Sequence, residues 1–225
     1  MATILTNTGI TFPDATTQTT AASSSGGVSS LNGSTGALNG MTYISSGSFG
    51  STAVSNNYIT GLPSGYTFFK VFCTFKFNSV DGNAPNGGLA LRLSKDNGSN
   101  YFTSGYANAT TEGAANSGTN CGVGGVGTGS SQIFLVSTPG GSTNTWVNLE
   151  MCVFNAQGST TVPPSVSGLA GNTSNGGDEV WMSMFNGNCP GNITANQYIN
   201  ALQFFITNGS SKQMNGGYYF VYGMK

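Results

Sequence analysis

The chain predicts an all-β fold: an antiparallel β-sandwich, jelly-roll or lectin-like, preceded by an extended N-terminal arm. Three observations carry this. Apolar and polar residues alternate in run after run, the period of a half-buried strand. No window holds a 3.6-residue apolar period over ten or more residues, so no amphipathic helix is expected. Glycine, 35 of 225 residues, falls in pairs such as Gly87-Gly88 and Gly216-Gly217 with no three-residue period, which marks turns and excludes collagen.

Residues 1–40 form the arm. Ile10 and Phe12 make a short β-prone patch, cut by Pro13-Asp14, where proline fixes φ and aspartate bonds nearby amides. The Thr, Gln, Ala and Ser run that follows, Gln18 included, carries too little apolar surface to offset its own ordering entropy. It is expected to order only against something else. Asn32-Gly33 and Thr35-Gly36 mark tight turns, with Leu31 and Leu38 as isolated apolar pegs that pack between neighbouring subunits.

Residues 41–225 form the sandwich. Thr67 to Phe77 puts Phe69, Val71, Cys73, Phe75 and Phe77 on one face, and Lys70, Thr74 and Lys76 on the other. Leu89–Ser94 alternates in the same way, and Trp146–Phe154 turns Val147, Leu149, Met151 and Val153 inward. Gln132–Val136, Val180–Phe185, Ala201–Thr207 and Tyr218–Tyr222 bring the expected set to about ten strands. Asp96-Asn97-Gly98 predicts a hairpin joining Leu89–Ser94 to Tyr101–Tyr106. Ala107–Ser131 and Gln157–Asp178 read as long Gly/Asn/Thr-rich loops, and long loops at one end of a sandwich are where binding usually sits.

Composition narrows the function. Hydrophobic residues are 37% of the chain, and 14 Phe with 9 Tyr supply bulky core pieces. Only 6% is charged, against about 25% in an ordinary soluble domain, and the net charge is −1. No basic stripe exists to displace counterions from a nucleic acid. Neutral Ser, Thr, Asn and Gly surfaces suit a protein that assembles with copies of itself, since few charges need desolvation at a contact.

Catalysis is hard to build. The chain has no histidine, which removes Ser-His-Asp and Cys-His arrangements and the usual base at neutral pH. Asp178 and Glu179 are neighbours before a strand and point to opposite faces, while Glu150 lies on the polar face of its strand. All three read as solvated or hydrogen-bonded surface, so no enzyme is expected. Asp81-Gly82-Asn83 and Asp96-Asn97-Gly98 offer oxygens that suit calcium, yet such triplets read first as plain turns. Zinc lacks both histidine and a C-x₂-C pair. No metal or cofactor is expected. Met1–Leu5 has no basic start or long apolar run, and no apolar stretch approaches a membrane span, so neither a secretory signal nor membrane insertion is expected.

The wording of several patches adds a family. Gly9–Ala22 resembles the G-I-x-F-P-D-G-T-x-Q-T-T-A segment of tailed-bacteriophage appendage proteins, with Ala15 where that pattern has glycine. Val28–Leu38 resembles the V-x-S-L-N-G-x-T-G-x-V/L phrase that joins shaft to head in phage fibres. Leu91–Tyr101 is similar to an L-R-L-S-x-D-G-G-x-x-Y stretch of the same group, with Asn97, which tolerates the left-handed region, in place of a glycine. Gly217–Lys225 resembles its C-terminal G-x-i-x-V-Y-G-l-K strand. Ser94–Tyr101 also fits the Asp-box spacing S-x-D-x-G-x-x-aromatic of sialidases and other β-proteins, where it is an element of the fold.

The resemblance implies a structural virion protein, made in the host cytoplasm: a short homotrimeric tail fibre or tail-tip appendage. Its arm would dock on other virion proteins through Ile10, Phe12, Pro13, Asp14 and Gln18, and its sandwich would face a host surface carbohydrate. The alternative is a capsid decoration, or cement, protein at local threefold positions. Aromatic faces stack on sugar rings, which makes Tyr101, Tyr106, Trp146, Trp181 and Tyr198 the candidate glycan contacts. For Trp146 and Trp181, core or inter-subunit packing at strand edges is the competing role, and for Tyr106 packing competes with glycan contact on equal terms. Cys73 and Cys152 fall in strands as buried thiols. Cys121 and Cys189 lie in loops, where a disulfide between them competes with the free thiols expected of assembly in a reducing cytoplasm.

Overall fold

The computed structural model describes residues 4–6, 9–11, 17–18, 30–31, 34–35, 40–79, 87–115, 126–138, 145–157, 162–173, 180–189, 197–207 and 212–225, the first five segments as backbone only. The chain divides into two units, Met1–Gly40 and Met41–Lys225.

The first unit contains ladders of two or three residues. β1 (Ile4–Thr6), β2 (Gly9–Thr11) and β3 (Thr17–Gln18) pair antiparallel in that order, with Ile10 opposite Gln18. β4 (Ser30–Leu31) pairs with β5 (Ser34–Thr35) across Asn32-Gly33, where a tight turn is expected. Phe12, Pro13, Asp14 and Leu38 lie outside the described residues.

The second unit is a sandwich of two antiparallel sheets, with no helix among the described residues. Its strands are β6 (Thr42–Phe49), β7 (Asn56–Thr60), β8 (Phe68–Ser79), β9 (Gly87–Ser94), β10 (Tyr106–Ala115) and β11 (Val126–Ser130). They continue with β12 (Ile133–Thr138), β13 (Thr145–Phe154), β14 (Ser165–Thr173), β15 (Val180–Asn188), β16 (Ala201–Thr207) and β17 (Lys212–Met224). The large sheet runs β11-β10-β15-β14-β13-β8-β17-β6, and the small one β12-β9-β16-β7.

The core lies between them. Phe69, Val71, Phe75, Val147 and Met151 of the large sheet face Leu89, Leu91, Leu93, Leu202 and Phe204 of the small one, all essentially inaccessible to solvent. Phe75 joins the layers, stacking at 4.9 Å on Phe49 and at 5.0 Å against Phe204. The alternation read in β8, β9 and β13 is the alternation observed.

Two segments expected to be loops are not. Ala107–Ser131 contains most of β10 and all of β11, and Gln157–Asp178 contains β14, which sits between β13 and β15. Their residues are mostly small or polar, so hydrophobic alternation does not reveal them. Glycine is required at inward positions of β14 and of its neighbour β15. A Cβ on Gly168 would lie 2.3 Å from the Glu150 carbonyl oxygen and 2.7 Å from the Phe185 ring, and one on Gly187 would strike Ile133 of the opposite sheet at 2.7 Å.

The hairpin at Asp96-Asn97-Gly98 also needs correction. The turn is present, with Asn97 at φ 57° and Gly98 at φ 86° in the left-handed region. The Asp96 carboxylate accepts from the Asn100 amide N–H at 2.8 Å and from the Ser94 hydroxyl at 2.7 Å. The two limbs, however, do not form one ladder. β9 pairs with β12 and β16, and the chain crosses through Gly105 (φ 83°) to enter the large sheet as β10.

Candidate functional site

The five aromatic candidates do not converge. Tyr106 is a core residue: it is 0% exposed, and its hydroxyl accepts the Leu93 amide N–H at 2.9 Å. β12 reaches only as far as Ile133, opposite Leu91, so no neighbouring strand stands beside Leu93 on that edge, and the tyrosine oxygen takes the strand's place. The expected glycan contact is therefore withdrawn for Tyr106. Tyr101 is half-buried beside Tyr58 of β7, ring centres 5.8 Å apart, with its hydroxyl buried and unpartnered. Burial pushes that hydroxyl up to about 12. Trp146 stands on the opposite side of the molecule, on the outer face of the large sheet, with the Lys76 ammonium 6.0 Å over its ring. Tyr198 is half-buried just before β16, and only the backbone of Trp181, in β15, is described.

The feature that sequence reasoning missed is the outer face of the large sheet. Register fixes its rows, because positions facing one another across a ladder share a side. One row reads Phe220 (β17), Phe72 (β8), Glu150 (β13), Leu169 (β14) and Met184 (β15). The next reads Tyr218, Thr74, Asn148, Gly171 and Met182. Met184 is 62% exposed, Met182 61% and Tyr218 50%. Isolated exposed apolar side chains are ordinary; here they gather in two groups, Phe72, Tyr218 and Phe220 on one side of Glu150 and Asn148, and Leu169, Met182 and Met184 on the other. In the second row Gly171 has no side chain, and a trough of about 450 Å³ opens beside it, walled by Tyr218 and Phe72 on one side and by Leu169 and Met182 on the other.

Charge on this face is largely cancelled from within. The Lys70 ammonium donates to the Glu150 carboxylate, and that bond holds the ammonium above its ordinary value. Thr74 donates to the Asn148 side-chain oxygen at 3.1 Å. The signal for the face was present in Tyr218-Tyr219-Phe220-Val221-Tyr222 and in Trp181–Phe185. These strands carry large apolar residues on both faces, whereas a strand with one solvated face alternates.

The described acids serve as hydrogen-bond acceptors within the fold. Besides Glu150 and Asp96, Glu112 accepts from the Ser137 amide at 2.6 Å and the Ser137 hydroxyl at 2.7 Å, tying β10 to β12. No group of three or more Asp, Glu or Cys suited to a metal ion occurs among the described residues. Asp81, Asp178, Glu179 and Cys121 lie outside the described residues. Cys73 and Cys189 are buried free thiols whose pKa burial pushes up, that of Cys189 to about 12. Cys152, on the outer face, is only half-buried.

No family model matches this chain, and no curated protein matches it.

Proposed function

We propose that the chain is a structural virion protein of a tailed phage, a short homotrimeric tail fibre or tail-tip appendage held by residues 1–40 and presenting the sandwich outward. One observation carries this reading. Among the described residues the hydrophobic core runs from Phe49 to Val221, and the chain divides into two units at Gly40, which supports an arm and a sandwich with separate tasks. The wording of Gly9–Ala22 supports a virion as what the arm binds. Tyr58 and Tyr101, side by side near the edge of the small sheet, are the rings best placed to stack on a host sugar. The same division of arm and sandwich would serve a capsid decoration protein, in which the arm clasps shell subunits.

Localisation in intact particles by cryo-EM tests the proposal. Density at the tail in a handful of copies supports the appendage; many copies spread over the shell make it a decoration protein; absence from the particle refutes both. Deleting residues 1–30 is expected to leave a folded, soluble sandwich that no longer joins the particle. Normal incorporation of the truncated chain would eliminate the docking role of the arm.

A further inference from the structure

We infer that the outer face of the large sheet is where copies of this chain meet, the aromatic half of one face packing on the methionine half of the next. This deepens the assembled form in the reading above and uses nothing of its virion attachment.

The area is sufficient. At roughly 200 Å² for a large side chain, the two central rows and the exposed apolar residues flanking them present on the order of 900 Å². A stable contact uses about 800 Å² per partner, an area each copy reaches when both halves of its face are covered.

The occupant follows from charge and from asymmetry. A face that carried much net charge would repel its own copy. Lys70 and Glu150 at the centre of this one compensate each other, and Lys76 sets its ammonium over the Trp146 ring, which gives a strongly charged partner little to grip. The face is also divided lengthwise about β13. Tyr218, Phe220 and Phe72 lie on one side, and Leu169, Met182 and Met184 on the other. Thioethers pack favourably on aromatic rings, so each half complements the other half of a second copy. The trough at Gly171 gives an incoming side chain a seat.

The test is the mass in solution of the full chain by light scattering at micromolar concentration. Wild type is expected at a multiple of 22.9 kDa. Phe220→Lys and Met184→Glu, each placed on one half, should separately yield a folded 22.9 kDa monomer; the double variant should recover the wild-type mass through the new ion pair. Circular dichroism and thermal unfolding check folding, and Tyr218→Lys replaces Phe220→Lys if that variant fails to fold. A monomeric wild type overturns the proposal together with the homotrimer. A single variant that stays folded and assembled overturns the face alone, leaving the homotrimer standing. Failure of the double variant to reassemble overturns the pairing of halves. A chain missing from the particle yet dissociated by these substitutions refutes the virion reading and not this one.

Discussion

Replacing Tyr106 by phenylalanine tests whether this residue belongs to the core or to a ligand surface. The substitution removes one oxygen and leaves the ring. That oxygen accepts the Leu93 N–H at 2.9 Å, at a position where β9 has run past the end of β12. Both Tyr106 and Leu93 are 0% exposed, so water does not reach the orphaned donor. An unsatisfied buried group costs about 1–3 kcal/mol, which lowers the folding equilibrium constant roughly 5- to 150-fold. For a domain of this size the shift in Tm is roughly 2–12 °C. Urea unfolding followed by tryptophan fluorescence measures it, and an unchanged m-value would show that the same surface is exposed on unfolding. A phenylalanine variant within about 0.5 kcal/mol of wild type would refute the reasoning and return Tyr106 to the candidate ligand contacts.

Three further outcomes are expected. Gly168→Val should destabilise by about 3 kcal/mol, the upper end of overpacking, because the new Cβ meets the backbone at Glu150 and Met151, which cannot yield as a flexible side chain would; a loss under about 1 kcal/mol in the same urea assay would count against the strand pairing. Donors from Asn100 and Ser94 hold the Asp96 carboxyl down at about 2, below its ordinary 3.8, so its contribution is present above pH 3.8 and lost as pH falls through about 2; Asp96→Asn should flatten that acid limb of stability, and an unchanged limb would exclude the turn as its source. In the dissociated Met184→Glu variant, iodoacetamide at roughly pH 8 should label Cys152 well before Cys73 or Cys189, as read by peptide mass spectrometry, because the last two are buried with raised pKa values; early labelling of Cys73 would contradict its place in the core.

The sandwich was legible wherever apolar residues alternate. Phe69, Val71, Cys73, Phe75 and Phe77 declare the inner face of β8 by period alone. β10 and β14 were not legible, because Ala, Ser, Thr, Asn and Gly carry no such period; their strand conformation is imposed by neighbours already in the sheet. Whether Tyr106 packs or meets a ligand is not legible in the sequence, because the crossover between sheets, which buries it, is a long-range event. The outer face escaped for another reason. Leu169 and Met184 stand far apart along the chain and become one row only once register is known.

The place of β17 has a consequence for the chain's birth on the ribosome. Its strand lies between β8 and β6, so β6 waits for residues 212–224 to gain its neighbour in the sheet, and β8, which β13 can join earlier, waits for them to close its other edge. From Ser79 to Lys212, synthesis at ~5–20 residues per second takes roughly 5–30 s. Throughout that interval β8, with its file of phenylalanines, has an open edge able to pair with another nascent chain. Newly made copies are thus most prone to aggregate just before β17 arrives, and slower synthesis or crowding of ribosomes on one message should lower the yield of folded protein.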